Sequence, residues 1–316
     1  MLKNSFMRVL VTSILLSLFI RVGAQINDTT ARPKPSRYPL WAVIIPGGTH
    51  FHDGRIVDGL LFSSATLGGL SIGVLNDAKM KENSNSPYYN YPLLIAQQSY
   101  LIDKVDLFRN QLEFFKYRHP NFQFDPLTTR ELLAAPFKPK NVFTPITAGF
   151  VATALVLLYF EHSGAEYSFQ NVDQMYFINR YIDRDPATVA FGGMSLAASL
   201  GAGTSEEYLF RNYILSMLDF RYGQRKGLCY SSIAFGILHL PNYLLIDKPD
   251  YKAAITQTVL ATIGGFFLGR DVQKRGYNIG PAVAAHTWYN FTLMLGSFLV
   301  NPKDNVFGVN VKFTIP

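Results

Sequence analysis

The run Thr204-Ser205-Glu206-Glu207-Tyr208-Leu209-Phe210-Arg211 sets two adjacent carboxylates and a guanidinium in an otherwise apolar stretch. Two later apolar segments each carry a histidine, His239 and His286. Carboxylate and imidazole are the side chains of general acid–base chemistry near neutral pH. A carboxylate in low dielectric has its charged form disfavoured, which brings it toward the range a general base requires. Spacing adds direction. Glu207 and Arg211 are four apart and stack on one face of an α-helix, which turns Glu206 about 100° away from them. His286 and Asn290 repeat the four-residue spacing, as do Phe235 and His239. Gly201, Gly203 and Gly236 beside these groups permit close helix approach.

The elements that must carry these residues are membrane helices. Only 16% of the 316 residues are charged and 14% are aromatic, and the low charge comes from long apolar runs, so an all-α polytopic transmembrane helical bundle is expected. The net charge of +7 is spread over connections, with no basic run to suggest nucleic acid. The single Cys229 excludes an internal disulfide, a Cys-rich zinc site and an iron–sulfur cluster, and it reads as a packing residue.

Lys3 and Arg8 before the apolar run Val9–Ile20, then Val22-Gly23-Ala24, read as a signal peptide over 1–24 cleaved before Gln25. Arg21 leaves an uncleaved anchor as the alternative. Residues 25–142 form an N-terminal region with an exposed linker at 25–40 and one span near 56–75. Its turn Pro46–Gly54 holds His50 and His52, which could bind a metal, but a solvated turn is the expectation. Gln97–Tyr117 has helical periodicity, with Leu101, Val105, Phe108, Leu112 and Phe115 on one stripe and Lys104, Arg109 and Glu113 elsewhere. It fits an amphipathic helix lying on the membrane or packed on the protein itself.

Further spans are expected at Pro145–Phe160, Ala187–Leu218, Leu228–Ile246, Ala253–Leu268 and Ile279–Val300, within a core of residues 143–300 followed by a short tail at 301–316. The connections 219–227 and 269–278 are rich in Lys and Arg, which places them on the cytoplasmic side of a multi-pass membrane protein. Along the helices from that side, Glu206 lies roughly 20 Å in, His239 roughly 16 Å and His286 roughly 11 Å. The hydrocarbon core is about 30 Å thick. Polar groups at such depths satisfy one another by converging.

Glu206-Glu207-x-x-x-Arg211, Phe235-x-x-x-His239 and His286-x-x-x-Asn290 resemble the three motifs of the CPBP family. That family comprises type II CAAX prenyl proteases and bacteriocin-processing or immunity-related (Abi-like) membrane proteins. The resemblance covers roughly residues 186–296. It implies an intramembrane endopeptidase of the glutamic type. Glu206 would activate water and His239 would help to position it; His286 and Asn290 would stabilise the oxyanion. Glu207 and Arg211, with Phe235, would hold this set in place. No cofactor is implied. The substrate would be a membrane-embedded or membrane-associated peptide or protein. Specificity for a prenylated cysteine is not carried over, because bacteria generally lack that substrate.

Other readings of the same residues stand beside this one. Glu206, His239 and His286 would form a His₂Glu zinc site. Intact motifs also suit a non-catalytic scaffold or immunity protein. Buried carboxylates and histidines serve ion relays as well, although no paired halves support a transporter. The blandest alternative is interhelical hydrogen bonding without chemistry.

Overall fold

The structure is a computed structural model that describes residues 38–81, 91–163, 173–177, 180–240 and 250–300. The expected signal peptide, most of the linker and the C-terminal tail lie outside the described residues, as does the end of the expected span Leu228–Ile246. In chain order the helices are α1 (Leu40–Ile44), α2 (Gly48–His52), α3 (Ile56–Lys81), α4 (Tyr91–Asp103), α5 (Val105–Arg118), α6 (Thr129–Ala134), α7 (Pro139–Val142) and α8 (Pro145–Ser163). A short antiparallel hairpin, β1 (Gln174–Phe177) with β2 (Arg180–Asp183), pairs Gln174 with Asp183 and Phe177 with Arg180. Then follow α9 (Arg184–Glu207), a π-helical turn (Tyr208–Ile214), α10 (Leu215–Tyr222), α11 (Gln224–Ile237), α12 (Tyr251–Lys274) and α13 (Gly280–Val300). Apart from the hairpin, the regular structure of the described residues is all helical, in line with the expected all-α class.

Two compact units draw on interleaved parts of the chain. Among the described residues, one takes 106–126 and 208–279, and the other takes 40–105, 127–207 and 280–300. Sequence order therefore does not separate the N-terminal region from the motif-bearing helices.

In the second of these units, small residues let helices meet at backbone distance. A Cβ on Gly296 of α13 would stand 2.3 Å from Leu158 of α8, and one on Gly203 of α9 would stand 2.2 Å from the Thr287 hydroxyl of α13. Phe191 and Phe298 stack at 4.1 Å between α9 and α13. Trp288 Nε1 donates to Pro136 O at 2.8 Å, which fixes the rotation of α13 against the segment before α7. Thr128 and Glu131 form a reciprocal capping box that starts α6.

The expected helix 97–117 is broken. The chain leaves helical geometry at Lys104, and the apolar stripe packs on the protein: Val105, Phe108 and Leu112 are buried. Lys104, expected on an exposed face, is 0% exposed. Its ammonium has three protons and three acceptors, namely Asp103 Oδ2 at 2.5 Å, Ala42 O at 3.0 Å and Ile45 O at 3.0 Å. Two of these are carbonyls at the end of α1, where a helix lacks donors of its own. Burial pushes the Lys104 ammonium below its ordinary value, while Asp103 pulls it back. Asp103 also accepts from Gly47 N at 3.0 Å and from the Thr49 hydroxyl at 2.6 Å. His50 shares this environment. It is 1% exposed, stacked on Phe62 at 4.8 Å and 3.7 Å from Asp103. The Pro46–Gly54 turn is thus folded inward at His50, whereas His52 remains partly exposed.

In the other unit, α11 and α12 meet at Gly236, where a Cβ would lie 1.9 Å from the Thr262 hydroxyl. Asp219 Oδ2 accepts from Gln273 Nε2 and from the Tyr277 hydroxyl, both at 2.8 Å, and so ties the end of α10 to the end of α12. The basic connections are shorter than expected: Gly223 (φ 83°) alone separates α10 from α11, and α12 runs on to Lys274. Arg221, Arg225 and Lys226 therefore project from helix ends.

Of the expected spans, Ile56–Gly73 within α3 is long and apolar enough to cross a membrane, and Pro145–Phe160 is a shorter apolar helix. The motif-bearing helices are diluted by Gly, Ser and Thr, as in Gly201-Ala202-Gly203-Thr204-Ser205. Large apolar side chains nonetheless face outward on α3 (Leu60, Leu61), α8 (Leu155, Phe160) and α12 (Leu260, Phe267).

Candidate active site

Glu206, Glu207, His286 and Asn290 belong to one unit, and Arg211, Phe235 and His239 to the other. In the first, α9 delivers both carboxylates from its last turn, while α13 delivers His286 from its second turn. Gly203, one turn before the carboxylates, lets α9 approach Thr287 next to His286. The expectation that this glycine permits close approach is met. A methyl group there would also crowd Thr287 N at 2.9 Å and Val283 O at 3.0 Å, so backbone as well as side chain would have to move. Gly203→Ala is expected to cost about 1–3 kcal/mol by overpacking, read as a lower unfolding midpoint. Gly193→Ala, whose Cβ would meet nothing within 4 Å, should be neutral.

His286 stands against both carboxylates. Its Nδ1 lies 2.7 Å from Glu207 Oε1, and its Nε2 lies 4.0 Å from Glu206 Oε2. An ionised carboxylate only accepts, so Nδ1 carries a proton and donates. The two carboxylates differ in exposure: the Glu207 side chain is 0% exposed and the Glu206 side chain 23%. Glu207 is thus committed to orienting the imidazole, and Glu206 is the one a water molecule can reach. Sequence spacing had paired Glu207 with Arg211 alone; the bond to His286 spans 79 residues and no local periodicity foretells it. Asn290 follows one turn later on α13 and is half-buried.

A further residue joins this set. Gln98 of α4 is 3% exposed; its Nε2 donates to Glu206 Oε1 at 3.3 Å, and the Ser205 hydroxyl donates to its Oε1. Sequence reasoning placed Gln98 within the amphipathic stretch without a role. The available signal was the polar pair Gln97-Gln98 in an otherwise apolar turn of Tyr91–Asp103.

In the other unit, Arg211 is 2% exposed and its guanidinium stacks 4.1 Å from the Phe235 ring centre. It lies in the π-helical turn Tyr208–Ile214, directly after the α-helix that carries Glu207. Such turns recur at functional sites. His239 follows the end of α11, with Nδ1 2.8 Å from Phe235 O and its ring edge-on to Phe235 at 4.7 Å. A carbonyl only accepts, so Nδ1 is the donor, and in the neutral ring Nε2 keeps its lone pair. Among the described residues, no group of three or more His, Cys, Asp or Glu is arranged to hold a metal ion.

No curated protein and no solved structure matches the chain. Residues 188–292 match a family model described as type II CAAX prenyl endopeptidase Rce1-like, a membrane-embedded family. The matched segment contains Glu206, Glu207, Arg211, Phe235, His239, His286 and Asn290, and this Rce1-like match supports the resemblance to the CPBP-family intramembrane proteases.

Proposed function

We propose that the protein is a multi-pass intramembrane endopeptidase that hydrolyses a peptide bond of a membrane-embedded or membrane-associated substrate by glutamate-activated water. The observation that carries this reading is the pair of unlike carboxylates around His286. Adjacent titratable groups in different environments are suited to different tasks. Glu206, partly exposed, takes a proton from water as the water oxygen attacks the carbonyl carbon. His286 carries protons on both nitrogens at that stage, donating one to Glu207 and offering the other to the oxyanion, with the Asn290 carboxamide as the second donor. When the C–N bond breaks, Glu206 returns its proton to the leaving amine. The apolar side chains facing outward on α3, α8 and α12 support a lipid surround, and the basic helix ends support a cytoplasmic side for that face of a bacterial inner membrane.

No cofactor is needed for these steps. A zinc-dependent variant is the second reading, favoured by one observation: an imidazole whose Nδ1–H is held by a carboxylate is also the usual arrangement of a metal ligand. Both readings are tested by reconstituting the protein in liposomes with a library of membrane peptides. Cleavage that is lost in Glu206→Ala and His239→Ala and unaffected by a strong zinc chelator is expected. Loss on chelation, restored by zinc, would move the assignment to the metal. No cleavage by folded wild type, with full biological activity retained by Glu206→Ala, would move it to a scaffold.

A further inference from the structure

Gln98 lies outside the 188–292 match, on a helix 108 residues before Glu206, and yet its side chain is enclosed beside that carboxylate. The geometry points to Gln98 as a positioning residue for Glu206, so that α4 completes the candidate active site of the Rce1-like domain. This inference rests on the reading of Glu206 given above.

The chemistry of the carboxamide allows one orientation. An ionised Glu206 can only accept, so the NH₂ end faces it; the carbonyl end then faces Ser205, whose hydroxyl can donate. Ser205 Oγ also lies 2.8 Å from Gly201 O on the same helix as Glu206, so its one proton is shared between that carbonyl and Gln98 Oε1. The carboxamide therefore bridges two successive residues of α9. Glu206 Oε1 is occupied by Gln98, which turns Oε2 toward His286 Nε2 and leaves it to receive the proton from water.

The backbone is arranged to bring Gln98 there. At Gly201 a Cβ would lie 2.6 Å from Gln98 Cβ, so α9 has no side chain where α4 crosses it. On its other side α4 is seated against α3 at two more glycines. A Cβ on Gly69 would lie 2.6 Å from Pro92 O, and one on Gly73 would lie 2.5 Å from Leu93 Cγ. Three close approaches on two neighbouring helices fix the height and rotation of α4. A glutamine is long enough to span from that backbone to the carboxylate, and it adds a donor without adding a charge.

The test compares Gln98→Leu, which keeps the volume, with Gln98→Glu, which keeps an acceptor for Ser205 but offers no N–H to an ionised Glu206. Both are reconstituted and assayed beside wild type. The expected result is a fall in kcat on the order of 10²-fold in both variants, the effect of a misplaced reacting group, with KM unchanged and Gln98→Leu melting within a few degrees of wild type. A packing role predicts wild-type kcat in Gln98→Leu and would overturn the inference. A second readout is independent of turnover: the carboxylate stretching bands of Glu206, isolated as the infrared difference between wild type and Glu206→Gln. These bands shift in a Gln98→Leu background if Gln98 donates to Glu206, and unshifted bands overturn the inference whatever the activity. Shifted bands in a protein whose wild type cleaves nothing would uphold the positioning of Glu206 and sink the protease reading alone.

Discussion

Glu206→Gln is expected to abolish cleavage, and Glu207→Gln to weaken it, although the two residues are adjacent and chemically alike. A glutamine at 206 keeps the shape of the side chain and offers an oxygen to Gln98, but it has no basicity with which to accept a proton from water. General-base catalysis is typically worth about 10²–10⁴-fold, and a loss of that size in kcat is expected. A glutamine at 207 keeps an acceptor for His286 Nδ1, so the ring orientation set by the 2.7 Å bond survives while the charge opposite it is lost. A smaller loss, on the order of 10-fold, follows if that charge-assisted bond weakens to a neutral one worth about 1 kcal/mol. The burden on stability runs the other way. Glu207 is enclosed and Glu206 is not, so Glu207→Gln should lower the melting temperature more than Glu206→Gln does. Single-turnover cleavage and thermal unfolding on the same reconstituted samples give both orders; Glu207→Gln being the more inactive of the two would reverse the assignment of the carboxylates.

Asp103→Ala should produce the largest loss of stability of any change outside the candidate site. It would leave the Lys104 ammonium, 0% exposed, with two carbonyl partners and no counter-charge, and would strip acceptors from Gly47 N and Thr49. Breaking a buried pair by removing one partner costs about 3–5 kcal/mol. The double variant Asp103→Ala, Lys104→Met should regain part of this, because no charge is then stranded, although the α1 carbonyls still lose their donor. Glu113→Ala, which removes one arm of the exposed Arg109 pair at 3.7 Å, is the control and should change stability by less than about 0.5 kcal/mol. Denaturant unfolding in detergent micelles measures all three. An Asp103→Ala midpoint equal to that of Glu113→Ala would show that the pair contributes nothing to the fold.

The contrast between Lys104 and Glu206 shows what was legible in the sequence and what was not. An acidic pair within an apolar helix is conspicuous because burial of charge is costly, and its partners recur at helical spacing on later spans. That logic singled out Glu206, Glu207, His239, His286 and Asn290 as candidates without any tertiary information, and of these the fold sets His286 beside the two carboxylates. Lys104 carries the same cost, but it falls between polar residues in a segment of mixed composition, where a lysine on the outer face is the ordinary expectation. Only the fold shows that the helix breaks there and that α1 ends against it. Gln98 was hard to read for a related reason: the polar pair Gln97-Gln98 stands out in its apolar turn, but an uncharged amide does not tell surface from site. The turn at Tyr208–Ile214 escaped because a π-helical register leaves the pattern of apolar residues nearly unchanged. The β1–β2 hairpin falls between the expected spans Pro145–Phe160 and Ala187–Leu218 and was not foreseen, although Tyr176, Phe177, Tyr181 and Ile182 are strand-favouring types.

The interval of 79 residues between Glu207 and His286 also sets an order of events at the ribosome. At translation rates of about 5–20 residues per second, the acidic pair is made about 4–16 s before the histidine that will face it. Until α13 arrives, neither carboxylate has its imidazole, and a nascent chain reaching the bilayer would be inert toward its neighbours. Gln98 is synthesised 108 residues ahead of Glu206. On the function proposed above, α13, the last of the described helices, would then be the one that completes the site, and a chain stalled before Gly280 would lack it.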